Sequence, residues 1–152
     1  MCLPNGNPSP GPKFDDKPGR PERFAARASE LVSLPVVLAG DYNVIPEELD
    51  VSDPAGWEAD APFRPESRRA YRRLLAQARA DALRDLNPGQ HVFTSWDYTG
   101  VALRRNAGLR IDHLLHNPAA AARLTAAGVG RGVRGWEKTI DHTPTWVEPS
   151  DG

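Results

Sequence analysis

The sequence predicts an α/β sandwich built on a mixed or antiparallel sheet, and three observations carry that reading. Residues 35–39 are a short apolar run rich in β-branched side chains, the pattern of a buried strand. Residues 66–86 repeat Ala70, Tyr71, Leu74, Leu75 and Ala78 on one helical face, with arginines on the other, which is an amphipathic helix. Three further strand-like stretches, 91–97, 109–115 and 143–148, follow, and the 11-residue gap between the first two is too short for a regular βαβ crossover. The chain has 152 residues, 39% hydrophobic and 26% charged, which is one domain's length with enough apolar surface for a core.

In chain order, proline and glycine crowd residues 4–21, so this segment reads as loop. A short helix is expected over 22–32, with Pro21 in its first turn. The strand at 35–39 then runs into Gly40-Asp41-Tyr42-Asn43, a strand end of the kind that carries an active site. Residues 44–65 lack periodicity and read as an ordered loop around Trp57. The amphipathic helix follows, then the strands at 91–97 and 109–115. The Ala-rich residues 118–127 are expected to be helical, and 128–136 form a glycine-punctuated return before the last strand.

Composition also bounds function. The longest apolar stretch, 34–39, is far short of the roughly 20 residues a bilayer crossing needs. Met1 is followed by no basic-then-apolar leader. The expectation is a cytoplasmic protein with no membrane partner. The single cysteine, Cys2, leaves no internal disulfide framework and no cysteine cage for zinc. The net charge of -1 conceals an asymmetry: residues 1–63 carry five basic and eleven acidic side chains, net -6, and residues 64–152 carry fourteen and nine, net +5. Arginines, among them Arg104, Arg105 and Arg110, dominate the basic half. Their guanidinium forks suit phosphate, although a solvated helix face explains the same composition.

Three constellations carry chemistry. Alternation along a strand sends Asp41 and Asn43 to one side and Tyr42 to the other. A carboxylate that can orient or deprotonate water thus lies beside an amide that can hold a phosphoryl oxygen. An Asx turn closing the strand is the plainer reading of that pattern by itself. In Leu109 to His116, Ile111, His113 and Leu115 share one face, and Asp112, Leu114 and His116 the other. Asp112 and His116 would stand ~13 Å apart along such a strand, so they form no joint metal site, and a carboxylate in an apolar strand needs a partner. Asp141-His142, just before the last strand, could place a hard-metal carboxylate and an imidazole together. If His142 meets Asp112, the carboxylate fixes the imidazole tautomer and leaves the other nitrogen for substrate; a surface Asp-His pair in a turn is the alternative.

Taken in order, Leu3-Pro4-Asn5-Gly6, Pro12-Lys13-Phe14, Val36 to Asn43 with Ile45-Pro46, Asp50-Val51, Phe93-Thr94 with Trp96-Asp97-Tyr98, Gly108 to Leu115, and Asp141-His142-Thr143-Pro144 resemble the exodeoxyribonuclease III family of apurinic/apyrimidinic endonucleases. The resemblance implies a four-layer α/β sandwich with mixed, largely antiparallel sheets, of which residues 1–152 are the C-terminal half. It implies magnesium-dependent phosphodiester hydrolysis, with manganese as an alternative ion, in double-stranded DNA at abasic sites or 3′ ends. By motif, Asp41 positions or activates the attacking water, Asn43 orients phosphate, and Asp112 partners His142, which contacts a phosphoryl oxygen. Asp141, with Asp41, holds the metal. Asn5, Gly6, Lys13, Trp96, Arg104 and Arg105 face DNA, and the Trp96 segment forms the rim against an extruded abasic sugar, as base-flipping enzymes require.

The same resemblance marks departures. The family's N-terminal half, with its metal-binding glutamate, has no counterpart in the sequence, so that half is expected from a partner chain or a longer reading frame, and an exposed sheet face is expected without it. Cys2 stands where the family has a catalytic tyrosine, and sulfur is the weaker donor. Ile140 replaces a serine, and Ser95 an aromatic. Two other functions fit the sequence: a non-catalytic remnant binding DNA through Asn5, Lys13, Arg104 and Arg105, and a phosphatase acting on a small phosphoester.

Overall fold

The computed structural model describes residues 34–77, 79–98, 100–136 and 140–150. Among these, three antiparallel sheets carry short helices. The helix expected over 22–32 lies outside the described residues. No helix among the described residues is long and apolar enough to cross a membrane.

Strand β1 (Val37–Asp41) and strand β5 (Asp112–His116) form the centre of the fold. They pair antiparallel with Val37 opposite His116, Gly40 opposite His113 and Asp41 opposite Asp112. Residues 44–65 are ordered, but they hold a 3-10 turn at Glu48–Asp50 and a one-turn helix α1 (Pro54–Trp57). Asp53 caps α1 by accepting from the Gly56 backbone N–H.

The long helix expected over 66–86 is two helices. Helix α2 (Pro65–Leu75) starts on Pro65, whose missing N–H costs nothing at a first helical position, and buries Ser67, Ala70, Tyr71 and Leu74. Strand β2 (Ala80–Asp81) then pairs with β5, and helix α3 (Ala82–Leu86) follows. Residues 76–80 have high helix propensity, so tertiary contacts break the helix. Asp81 is buried, accepts from Tyr71 Oη, Arg110 and His113, and caps α3 at Leu83 N.

The strand expected over 91–97 is confined to β3 (Ser95–Trp96), followed by a helix the sequence did not signal, α4 (Gly100–Arg105). The strand expected over 109–115 is divided. Strand β4 (Gly108–Leu109) pairs with β3 and β5 with β1, so the chain changes sheets at residues 110–111.

The helix expected over 118–127 is also corrected. Asn117 caps one turn, α5 (Pro118–Ala121), and the chain then enters strand β6 (Leu124–Val129). Strand β6 pairs with β7 (Thr145–Pro149) across a bulge between Leu124 and Ala126. Packing overrides alanine propensity here. Ala127, with Leu124, Val129 and Val147 beside it, packs on Ala82, Leu83 and Leu114.

The two faces of β5 serve different cores. Leu115 packs with Tyr42, Tyr71 and Leu74, while Leu114 packs with Ala82 and Leu83. This agrees with the alternation read from the sequence.

Behind the sheet lies a buried charge network. Arg110, 2% exposed, binds both Asp50 oxygens through Nε and Nη2, at 2.8 and 2.9 Å, and also reaches Asp81. Burial alone would raise both carboxyls. The His113 and Arg110 contacts hold Asp81 well below its ordinary range, and Arg110 and Arg84 hold Asp50 below its own. Arg110 is therefore a core cation and not a phosphate contact.

Candidate active site

The site forms where β1 ends against the start of β5. Asn43 adopts a left-handed backbone, φ 49°, which asparagine tolerates better than most residues. That turn lets the Asn43 backbone N–H donate to Asp41 Oδ1 and its Nδ2 donate to Asp41 Oδ2, each at 2.8 Å. The Asx turn and the functional reading of Gly40-Asp41-Tyr42-Asn43 therefore coincide, because the turn immobilises the carboxylate. Burial, reinforced by the negative charge of Asp112 and opposed by the Asn43 N–H, raises the Asp41 carboxyl above its ordinary value.

Asp112 faces Asp41 across the strand pair, and its Oδ2 lies 2.8 Å from His142 Nδ1. The imidazole Nδ1–H donates to the carboxylate, which fixes the ring's orientation and leaves Nε2 for a ligand. The Asp112 hydrogen bond, against a cost of burial, raises the His142 pKa, and the charges of Asp112, Asp41 and Asp141 add to it.

Asp141 is tied to the same place. Its carbonyl accepts from Trp96 N at 2.9 Å, and its Oδ1 accepts from Tyr98 Oη at 3.2 Å. A groove of about 490 Å³ opens beside these groups. Asn43, Ser95, Tyr98, Asp141 and His142 line it, with Trp57, Pro62, Leu109 and Ile111 as apolar wall.

Asp41, Asn43, Asp112, Asp141 and His142 thus converge on one site. Trp96 is a correction. It is 1% exposed, packs edge-on against Phe93 and lies under Arg131, so its ring cannot meet a sugar, whereas Trp57 and Tyr98 do line the groove. Arg104 and Arg105 are exposed at the end of α4, the helix whose Ala102 lines the groove. Asn5, Gly6, Lys13 and Cys2 lie outside the described residues. Sequence reasoning missed Trp57 as a wall and Thr94 as a buried hub. Trp57 could have been found as a large aromatic in an aperiodic loop, and Thr94 stood in the Phe93-Thr94 motif without a sign that its hydroxyl would be buried.

A divalent cation needs close to six oxygen ligands. Among the described residues no three His, Cys, Asp or Glu side chains gather as a metal-ligand group. Asp41 already accepts from Asn43 with both oxygens, and Asp141 accepts from Tyr98. These residues offer carboxylate oxygens but do not build a cation cage.

The sequence profile of the Endonuclease/Exonuclease/phosphatase family matches residues 4–151. Exodeoxyribonuclease III of Haemophilus influenzae is 36% identical over 123 residues, 76% of this chain and 46% of that protein. An AP endonuclease from Archaeoglobus fulgidus superimposes with a TM-score of 0.93 at 29% identity, covering 99% of this chain and 60% of the other. A 3′ phosphatase, NExo from Neisseria, solved with a product DNA hairpin, gives 0.91 at 31% identity, with 99% and 59% covered. The chain spans about half the length of the curated relatives it matches.

Proposed function

The chain belongs to the endonuclease/exonuclease/phosphatase family, and from its site we propose that it carries the histidine side of a centre that hydrolyses phosphodiesters in double-stranded DNA, at abasic sites or 3′ ends. One observation carries the reading: His142 is bonded to Asp112 through Nδ1, beside Asp41, at the mouth of a groove.

In this reading Nε2 of His142 donates to a non-bridging phosphoryl oxygen, and Asp112 keeps the ring aimed. Asp41 orients the attacking water and draws off its proton as oxygen attacks phosphorus. A raised carboxyl is the better base for that step. Asn43 acts first on Asp41, holding both carboxylate oxygens, and second on the phosphate beside it. Trp57 and Tyr98 stand where a sugar or base would pass.

The charges of three carboxylates, Asp41, Asp112 and Asp141, act on one imidazole. That is a surplus of negative charge facing a phosphodiester anion, and it favours a bound cation. Family nucleases are generally dependent on a divalent metal. Magnesium, with manganese as the alternative, is the ion this reading calls for, and it polarises a phosphoryl oxygen when bound. Asp141 and Asp41 are the donors this chain would offer. Two carboxylates fall short of an octahedral set, so no step is routed through the ion. The remainder of the relatives' length, supplied by a second chain or by a longer protein of which this sequence is part, would complete it.

The test is cleavage of a labelled abasic-site duplex in magnesium by this chain complemented with a separately expressed N-terminal portion of a relative, comparing the parent with Asp41→Ala and His142→Ala. Loss of cleavage in both variants is expected. DNA binding with no cleavage by any of them would favour a non-catalytic DNA-binding role.

A further inference from the structure

The sheet change at residues 110–111 has a single hydroxyl at its centre. Thr94 is fully buried, and its Oγ1 accepts from both Ile111 N and Asp112 N, each at 3.1 Å. Successive N–H groups in a regular strand point to opposite sides. Two of them meeting one oxygen therefore kink the chain.

The kink reverses side-chain parity. In an unbroken strand Arg110 and Asp112 would share a face and Arg110 and His113 would not. Here Arg110 and His113 share the Asp81 carboxylate, while Asp112 turns away to His142. Without the kink, Asp112 would lie on the face of the core guanidinium. Thr94 also reaches the other member of the pair, because its carbonyl accepts from Thr143 N at 2.9 Å, one residue past His142. One buried residue thus fixes the backbone on both sides of the Asp112–His142 bond.

We propose that Thr94 is a positioning residue whose hydroxyl holds the kink that aims Asp112 at His142. Its effect on catalysis rests on the phosphodiesterase reading given above; its effect on the Asp112–His142 bond does not. Removing the hydroxyl leaves two N–H groups, one buried and one half-buried, without an acceptor, which is costly, and frees the strand to straighten.

The test compares the full chain with Thr94→Val, which keeps the shape and loses the acceptor, and Thr94→Ser, which keeps the acceptor. Nuclear magnetic resonance at one fixed pH reads amide exchange at Ile111 and Asp112, and the ring-nitrogen shifts of His142 that report an Nδ1–H held on a carboxylate. Thr94→Val should speed exchange at both amides on the order of tenfold or more and shift the His142 nitrogens, with Leu114 and Leu115 still protected. Thr94→Ser should restore both signals. Parent-like exchange and ring shifts in Thr94→Val would overturn the proposal, as would a Thr94→Ser chain behaving like Thr94→Val. Should Thr94→Val fail to fold, Thr94→Ala against Thr94→Ser makes the same comparison. A parent chain that shows these signals but cleaves no DNA, even when complemented, counts against the phosphodiesterase reading alone.

Discussion

Asp41 and Asp112 stand opposite each other on facing strands, and only one of them meets His142 through a hydrogen bond. That asymmetry assigns their roles. Asp112 is occupied in orienting the imidazole, and Asp41, held by Asn43, is raised by burial and by its neighbour's charge. Two like charges so placed make the site sensitive to pH.

His142 has a folded-state pKa above its unfolded value, chiefly through the Asp112 hydrogen bond. It therefore contributes stability that is fully present below about pH 6.5 and lost as pH rises through the raised folded value. Asp112→Asn should remove most of that dependence. Unfolding free energy measured from slightly acid to slightly alkaline pH, in the parent and the variant, checks it; identical slopes would contradict the assignment.

Arg110 is the charge the core cannot lose. Arg110→Ala takes from buried Asp50 its main partner and from buried Asp81 one of its two nitrogen-bearing side-chain partners, and should cost about 3–5 kcal/mol in denaturant unfolding. Since both carboxyls are held below their ordinary range, their stabilisation is present above the unfolded pKa. It is lost as pH falls through the folded values. The parent chain should accordingly weaken in acid, and a variant stable without the guanidinium would refute the network's role.

Gly108 is required for packing. A Cβ there would meet Trp96 Nε1 at 2.6 Å, Phe93 Cβ at 2.9 Å and the Ser95 carbonyl at 2.9 Å. Gly108→Ala should destabilise by about 1–3 kcal/mol, read as a lowered unfolding midpoint. Since Gly108 also lines the groove, the groove should narrow or shift with it.

Much of this was legible in the sequence, and what was missed has a common cause. The Gly40-Asp41-Tyr42-Asn43 strand end, the faces of β5 and the pairing of Asp112 with His142 followed from local alternation and from the resemblance. The break between α2 and α3 did not, because residues 76–80 favour helix and it is pairing with β5, with the Arg110, His113 and Tyr71 contacts to Asp81, that draws the chain out. The helix expected at 118–127 failed likewise, because alanine says little about a strand set by pairing with β7. Trp96 was misplaced because an aromatic in a motif carries no sign of whether its ring or its backbone serves the site; here Trp96 N holds the Asp141 carbonyl.

Arg104 and Arg105 are exposed at the end of α4, whose Ala102 lines the groove, and if the groove takes DNA each should act as a phosphate contact. Alanine at either position should weaken duplex binding uniformly across sequences and lower the salt slope by about 1. Fluorescence anisotropy across a salt series measures this. An unchanged slope would place the DNA elsewhere on the surface.

Asp41, Asp112 and His142 are proposed as a working phosphodiesterase half-site. Its most direct test mixes this chain with a separately expressed N-terminal portion of a relative and follows cleavage of an abasic-site duplex in magnesium. Cleavage by the mixture is expected, and it is abolished when this chain carries His142→Ala. Cleavage that persists undiminished with His142→Ala, or none from two folded halves, would contradict it.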